Sequence, residues 1–155
     1  MAEPVELLGK VRDRLIAEGI VRNPAVAAPT VDPERPPAWL DPQDGVPAPG
    51  DLEPPNRGPS VVVAIQTATE IPGDPLEQSE WQLDAVEFII RAKTSPAAKL
   101  VYRRIRTVFA GKVGYDLGGV FIHESLLFRG LQPLVFDRQA FTYNCEFTFD
   151  RFAKS

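Results

Sequence analysis

Histidine, cysteine and methionine each occur only once in this chain of 155 residues. A zinc centre draws on three or four nitrogen or sulfur ligands, and one His plus one Cys cannot supply them. A Ser or Cys nucleophile needs a base beside it, which the scarcity of histidine makes hard to place. A lone cysteine excludes an internal disulfide and points to a reducing compartment. No apolar run approaches the ~18 residues that cross a bilayer. The opening segment "MAEPVELLGKVRDRL" has an acid at position 3 and charges throughout its apolar part, so it does not read as a secretory signal. Lysine is scarce too, 5 against 12 arginines, and the formal charge of −4 argues against a protein that grips duplex DNA. No metal, cofactor or catalytic residue is expected.

What the chain does have is proline. From Asn23 to Pro59 there are 11 prolines in 37 residues. The missing N–H donors and fixed φ angles exclude helix and central strand, so the segment reads as an extended, partly polyproline-like arm. It holds six acids and two bases, while the rest of the chain has 15 of each, so the arm carries the whole net charge. Trp39-Leu40 is its one large apolar pair, an anchor either on the chain's own core or on a neighbour.

The remaining sequence alternates between two periodicities. Residues 4–18 read as a helix, with Pro4 at the first turn, Leu8, Val11 and Leu15 on one face and Gly19 to end it. "SVVVAIQTAT" (60–69) and "WQLDAVEFIIRAK" (81–93) read as strands of a long hairpin with an acidic, Pro/Gly-bearing connection. "TSPAAKLVYRRIRTVFAG" is a helix with Ser95 as N-cap and Gly111 at its close; Ala98, Val101, Tyr102, Ile105, Val108 and Phe109 form its apolar side. The glycine-rich "GKVGYDLGG" reads as a turn, "VFIHESLLF" as a strand and "RGLQPLVFDRQ" as a bent segment. In "FTYNCEFTF" (141–149) aromatic and polar residues alternate strictly, the mark of a strand with one buried face. The sum is α+β: a mainly antiparallel four-stranded sheet with two helices on one face, plus the arm. One domain is expected, with residues 1–22 as its N-terminal helix, 23–59 as arm and 60–155 as core.

The titratable groups do not assemble into a reactive set. Cys145 falls on the apolar face of the last strand, and His123 sits on a strand between Ile122 and Glu124, where a structural or surface role is the simpler one. Asp84 and Glu87 point to opposite faces of their strand. Asp74, Glu77 and Glu80, with Glu70, cluster in the hairpin connection without the spacing of a calcium loop. On the second helix Lys99, Arg103 and Arg106 form a basic stripe with Arg104 beside it. The stripe suits an ordinary solvated face, phosphate contact, or charge pairing across a subunit boundary with the acids of the arm and hairpin. Trp39, Leu40, Asp74, Glu77, Glu80, Lys99, Arg103 and Arg106 are therefore the candidate interface residues.

The series "VVVAIQTAT", "WQLDAVEFIIRAK", "SPAAKLVYRRIRTVFAG", "VFIHESLLFRGLQPLVFD" and "QAFTYNCEFTFDRF" resembles the tail terminator and minor capsid (tail-completion) proteins of long-tailed bacteriophages. The likeness covers residues 60–152 and, more loosely, the first helix. It includes the basic end of the second strand (Arg91, Lys93), the small pair Ala97-Ala98 and the bend at Pro133; the Pro-rich arm departs from the family's short connection. The resemblance implies a homohexameric ring that caps the tail tube and joins it to the head connector, in a virion assembled in the host cytoplasm. Its partners would be further copies of itself, the tail tube protein and a head-connector or head-completion protein. DNA would pass through the lumen without sequence-specific contact, and no membrane is involved. The polar face of the last strand would then line the lumen or meet a neighbour. Another neck, head-completion or tail-tube component fits the same features, as does a cytoplasmic α+β module that binds a peptide or single-stranded nucleic acid.

Overall fold

The first helix, α1 (Pro4–Ala17), buries Leu7, Leu8, Val11 and Leu15, the i, i+4, i+8 row that a 3.6-residue period places on one face. Gly19 adopts φ 75°, the Gly19 N–H donates to Ile16 and the Ile20 N–H to Leu15. That pair of bonds is the Schellman closure, with buried Ile20 packed beyond the stop. The protein is described from a computed structural model, in which residues 4–24, 35–40, 61–67, 81–136 and 141–152 are placed.

Among the described residues six strands make one sheet: β1 (Ala38–Leu40), β2 (Val61–Thr67), β3 (Trp81–Ala92), β4 (Lys112–Leu117), β5 (Val120–Phe136) and β6 (Phe141–Phe152), in the order β1-β2-β3-β6-β5-β4. The α+β class stands, but the sheet has two more strands than the four expected and is mixed. One addition, β1, comes from the Pro-rich arm. It pairs in parallel with β2 at the sheet's edge, the position that proline-flanked strands tolerate. The other lies inside "GKVGYDLGG", which is β4 followed by a two-residue reversal and not a turn throughout. Gly118 and Gly119 both have positive φ, 56° and 93°, as the tight hairpin turn between β4 and β5 requires. The bend expected at 129–139 is also strand: β5 runs on to Phe136. Four register irregularities interrupt its pairing with β6, and two of them fall at Gly130 and Pro133.

The second helix, α2 (Ser95–Phe109), is capped by Thr94, one residue before the expected Ser95; its Oγ accepts from the Ala97 N–H. Ser95 instead exchanges a 2.7 Å hydrogen bond with the Tyr143 hydroxyl on β6. At the other end Gly111 takes the left-handed conformation expected of it. The end carbonyl of Phe109, which the helix itself leaves without a donor, accepts at 2.6 Å from the buried Ser125 hydroxyl, which itself accepts from Tyr115 at 2.8 Å. Burial pushes the Tyr115 hydroxyl above its usual range, offset in part by Ser125 and by the Arg14 charge. Replacing Ser125 with alanine strands both partners, and a loss of about 1–3 kcal/mol in urea unfolding is expected; a loss within error of zero would show that the chain fills the gap.

Both helices lie against the same side of the sheet. Leu7, Val11 and Leu15 of α1 and Val101, Ile105 and Phe109 of α2 share one core with Val63, Ile65, Phe88, Ile90, Cys145, Phe147 and Phe149. The sheet curls around this core far enough for neighbouring residues of α1 to touch both of its edges. Gly9 faces Leu40 of β1, and Lys10 donates to the Gly118 carbonyl at the β4–β5 turn.

Candidate functional site

The polar face of β6 is spent within the protomer. Thr142, Glu146 and Thr148 are buried. Register aligns Gln66, Glu87, Glu146 and Arg129 in one row across β2, β3, β6 and β5. Glu87 accepts from Gln66 and, at 2.8 Å, from Asn144, while Arg129 stands 3.8 Å from Glu146. Two facing carboxylates repel unless each has a partner, and this row gives each one. Arg91 is likewise directly opposite Thr142 and donates to it at 3.4 Å. These internal partners leave β6 few free polar groups, and the candidate surface is sought at the periphery.

On the aromatic face of β6, Cys145 is buried as expected. Its thiol is pushed up to about 12, first by burial and then by the charges of Glu87 and Glu146. A thiol so displaced is not a nucleophile at neutral pH. His123 is exposed beside the first irregularity of β5. Asp84 and Glu87 do face opposite ways: Asp84 is buried on the helix side, where it accepts from Arg151. Among the described residues no helix is long and apolar enough to cross a membrane, and no group of three or more His, Cys, Asp or Glu is placed to hold a metal ion.

Among the described residues two exposed faces stand out. The first belongs to α2. Pro96, Lys99, Leu100, Arg103, Arg106 and Thr107 are all exposed, the spacing of one helix face opposite Ala98, Val101, Ile105 and Phe109. The expected stripe of Lys99, Arg103 and Arg106 is thus brought together on solvent. Among the described residues none of the three makes an ion pair, and α2 contains no acid at all. Arg104 turns aside, with Glu18 and Arg35, into a cleft of about 390 Å³ between the end of α1 and α2. Leu100, 44% exposed, stands at one margin of this face, a turn from Arg103 and across from Lys99 and Arg106.

The second face is on β4 and β5, where Val113, Phe121, Leu126 and Phe128 are exposed large apolar side chains. Ile122 and Ser125 are fully buried and Leu127 packs on the core, so alternation sends Phe121 and Leu126 to the side away from the helices. Register places Val113 opposite Glu124 and Phe121 opposite Asp116. The Arg129 guanidinium lies 5.4 Å from the Phe128 ring centre. This face was absent from the sequence-based candidates. Its signal was available in "VFIHESLLF", which has apolar residues at both parities where a strand with one solvated face shows only one.

The two candidates from the arm take different places. Leu40 packs against the chain's own core, whereas Trp39 is half-buried beside Ala64, a residue of the opposite parity from the core positions Val63 and Ile65. Asp74, Glu77 and Glu80 lie outside the described residues, as does most of the arm.

No family model matches the chain, and no curated protein matches it. Among solved structures, one that carries no functional name aligns over 97% of this chain and 96% of its own, with a TM-score of 0.55 and 14% identity. At that identity the likeness shows the fold alone.

Proposed function

We propose that this protein is a structural component that self-associates into a closed ring, and specifically a tail terminator at the head–tail junction of a long-tailed phage. The observation that carries the reading is the exposed apolar set Val113, Phe121, Leu126 and Phe128 on the edge hairpin of the sheet. Large apolar side chains gathered on one strand pair mark a surface that fits against another protein. The resemblance of residues 60–152 to tail terminators supplies the place of that partner: neighbouring copies around the ring, the tail tube below and the head connector above. The work of such a protein is shape. It ends a polymer, presents the next docking surface and leaves a passage for DNA.

Light scattering and negative-stain imaging across a wide concentration range test this directly. The expected result is a discrete assembly of about six 17.1 kDa copies, roughly 100 kDa, with a central hole. A protein that stays monomeric throughout, and does not bind purified tail tubes, would overturn the reading in favour of a monomeric peptide- or nucleic-acid-binding module.

A further inference from the structure

Resting on the reading that the chain self-associates, we propose that the two exposed faces are the two halves of one head-to-tail interface. The cationic face of α2 around Leu100 seats on the apolar β4–β5 face around Leu126 of the next copy. The two surfaces are built as complements. Leu100 lies one turn before Arg103, with Lys99 and Arg106 along the far margin of the same exposed face, on a helix without acids. The β4–β5 face pairs each of two apolar residues with an acid across the strands, Val113 with Glu124 and Phe121 with Asp116. Its cation, Arg129, is already engaged by Phe128 and Glu146. Apolar centres with rims of opposite sign fix register and reject wrong partners.

The geometry dictates which copies meet. α2 packs on the face of the sheet formed by Phe88, Phe147 and Phe149. Leu126 is in register with Thr148, on the opposite face. One protomer therefore cannot join its own two surfaces, and two copies joined through one junction leave a free surface at each end. Association of this kind is heterologous and ends only when rotation between copies closes a ring. An exposed leucine beside the cations favours a protein partner over a phosphate backbone, which would use the charges and leave Leu100 idle.

The test uses full-length chains carrying Leu100→Asp or Leu126→Asp, each checked for wild-type circular dichroism and examined by sedimentation beside the wild type. Each variant alone is expected as a 17.1 kDa monomer. Mixed in equal amounts, they retain one intact junction, and a capped dimer of ~34 kDa with nothing larger is expected. If the wild type assembles but either variant assembles equally well, or the mixture gives no dimer, the interface lies elsewhere while the ring stands. A wild type that never assembles overturns both. Arg103→Glu, a milder change at an exposed position, is expected to raise the concentration needed for assembly at least tenfold. Assembly unchanged by it would overturn the charge complementarity even if the leucine variants misfold.

Discussion

Arg151→Ala is expected to cost about 3–5 kcal/mol of folding stability, the usual penalty for leaving a buried charge without its partner. Arg151 is 1% exposed and Asp84 3%. The guanidinium Nε donates to the Asp84 carboxylate on the helix side of the sheet. Asp84 lies opposite Phe149 and Arg151 opposite Gln82, so the two charges meet on the diagonal between β3 and β6. Asp84→Ala is expected to cost as much for the same reason. The double variant Asp84→Leu/Arg151→Met should recover most of the loss, because apolar residues of similar volume avoid desolvating two ions. Urea unfolding of all four proteins, at a concentration where none assembles, gives the comparison. A single-variant loss under about 1 kcal/mol, the range of solvated pairs, would show that water reaches the site.

Phe109→Ala is the second large effect, expected at about 3–5 kcal/mol from lost burial and the cavity left behind. Phe109 ends α2 and is fully buried among three other rings. Its ring centre is 5.2 Å from Phe149 and 6.3 Å from Phe147, both edge-on, and 6.5 Å from Phe88 in a stacked arrangement. Such pairs add about 0.5–1.5 kcal/mol beyond their buried area. The cluster joins the helix to β3 and β6 together, so the gap cannot close without moving α2. A fall in the urea midpoint with an unchanged slope is the expected signature. A loss below about 2 kcal/mol would mean that α2 can settle into the space.

Much of this core was legible from parity alone. Cys145, Phe147 and Phe149 turn to the core as the alternation predicts, although Thr142, Glu146 and Thr148 on the polar face are buried too; α2 shows the predicted apolar side, with Tyr102 and Val108 on its half-buried margins. The same parity, carried two residues further, puts Arg151 on the apolar face, and in β3 it puts Asp84 there with Val86, Phe88 and Ile90. Two inward charges of opposite sign were thus readable one by one; their meeting was not, because it depends on the register between strands 67 residues apart. β1 was hidden for another reason. Three residues framed by prolines carry no periodicity, and only the exposed edge of β2 makes them a strand. In β4 the glycines masked a hairpin whose left-handed turn requires them. For the candidate interface, Lys99, Arg103 and Arg106 followed from helical spacing. The β4–β5 face did not, because apolar residues at both parities look like a central strand until the sheet order places β5 next to the edge.

The seat of α1 has a consequence for the order of folding. Its first contacts along the chain are made early, but Lys10 donates to Gly118, a separation of 108 residues. The helix therefore emerges from the ribosome long before the hairpin that completes its binding place. Until β4 and β5 have closed, the row Leu7, Val11 and Leu15 has only part of its cover. Contacts of long sequence separation form slowly, so the β4 side of the helix's seat is completed after its seat on β1 and β2.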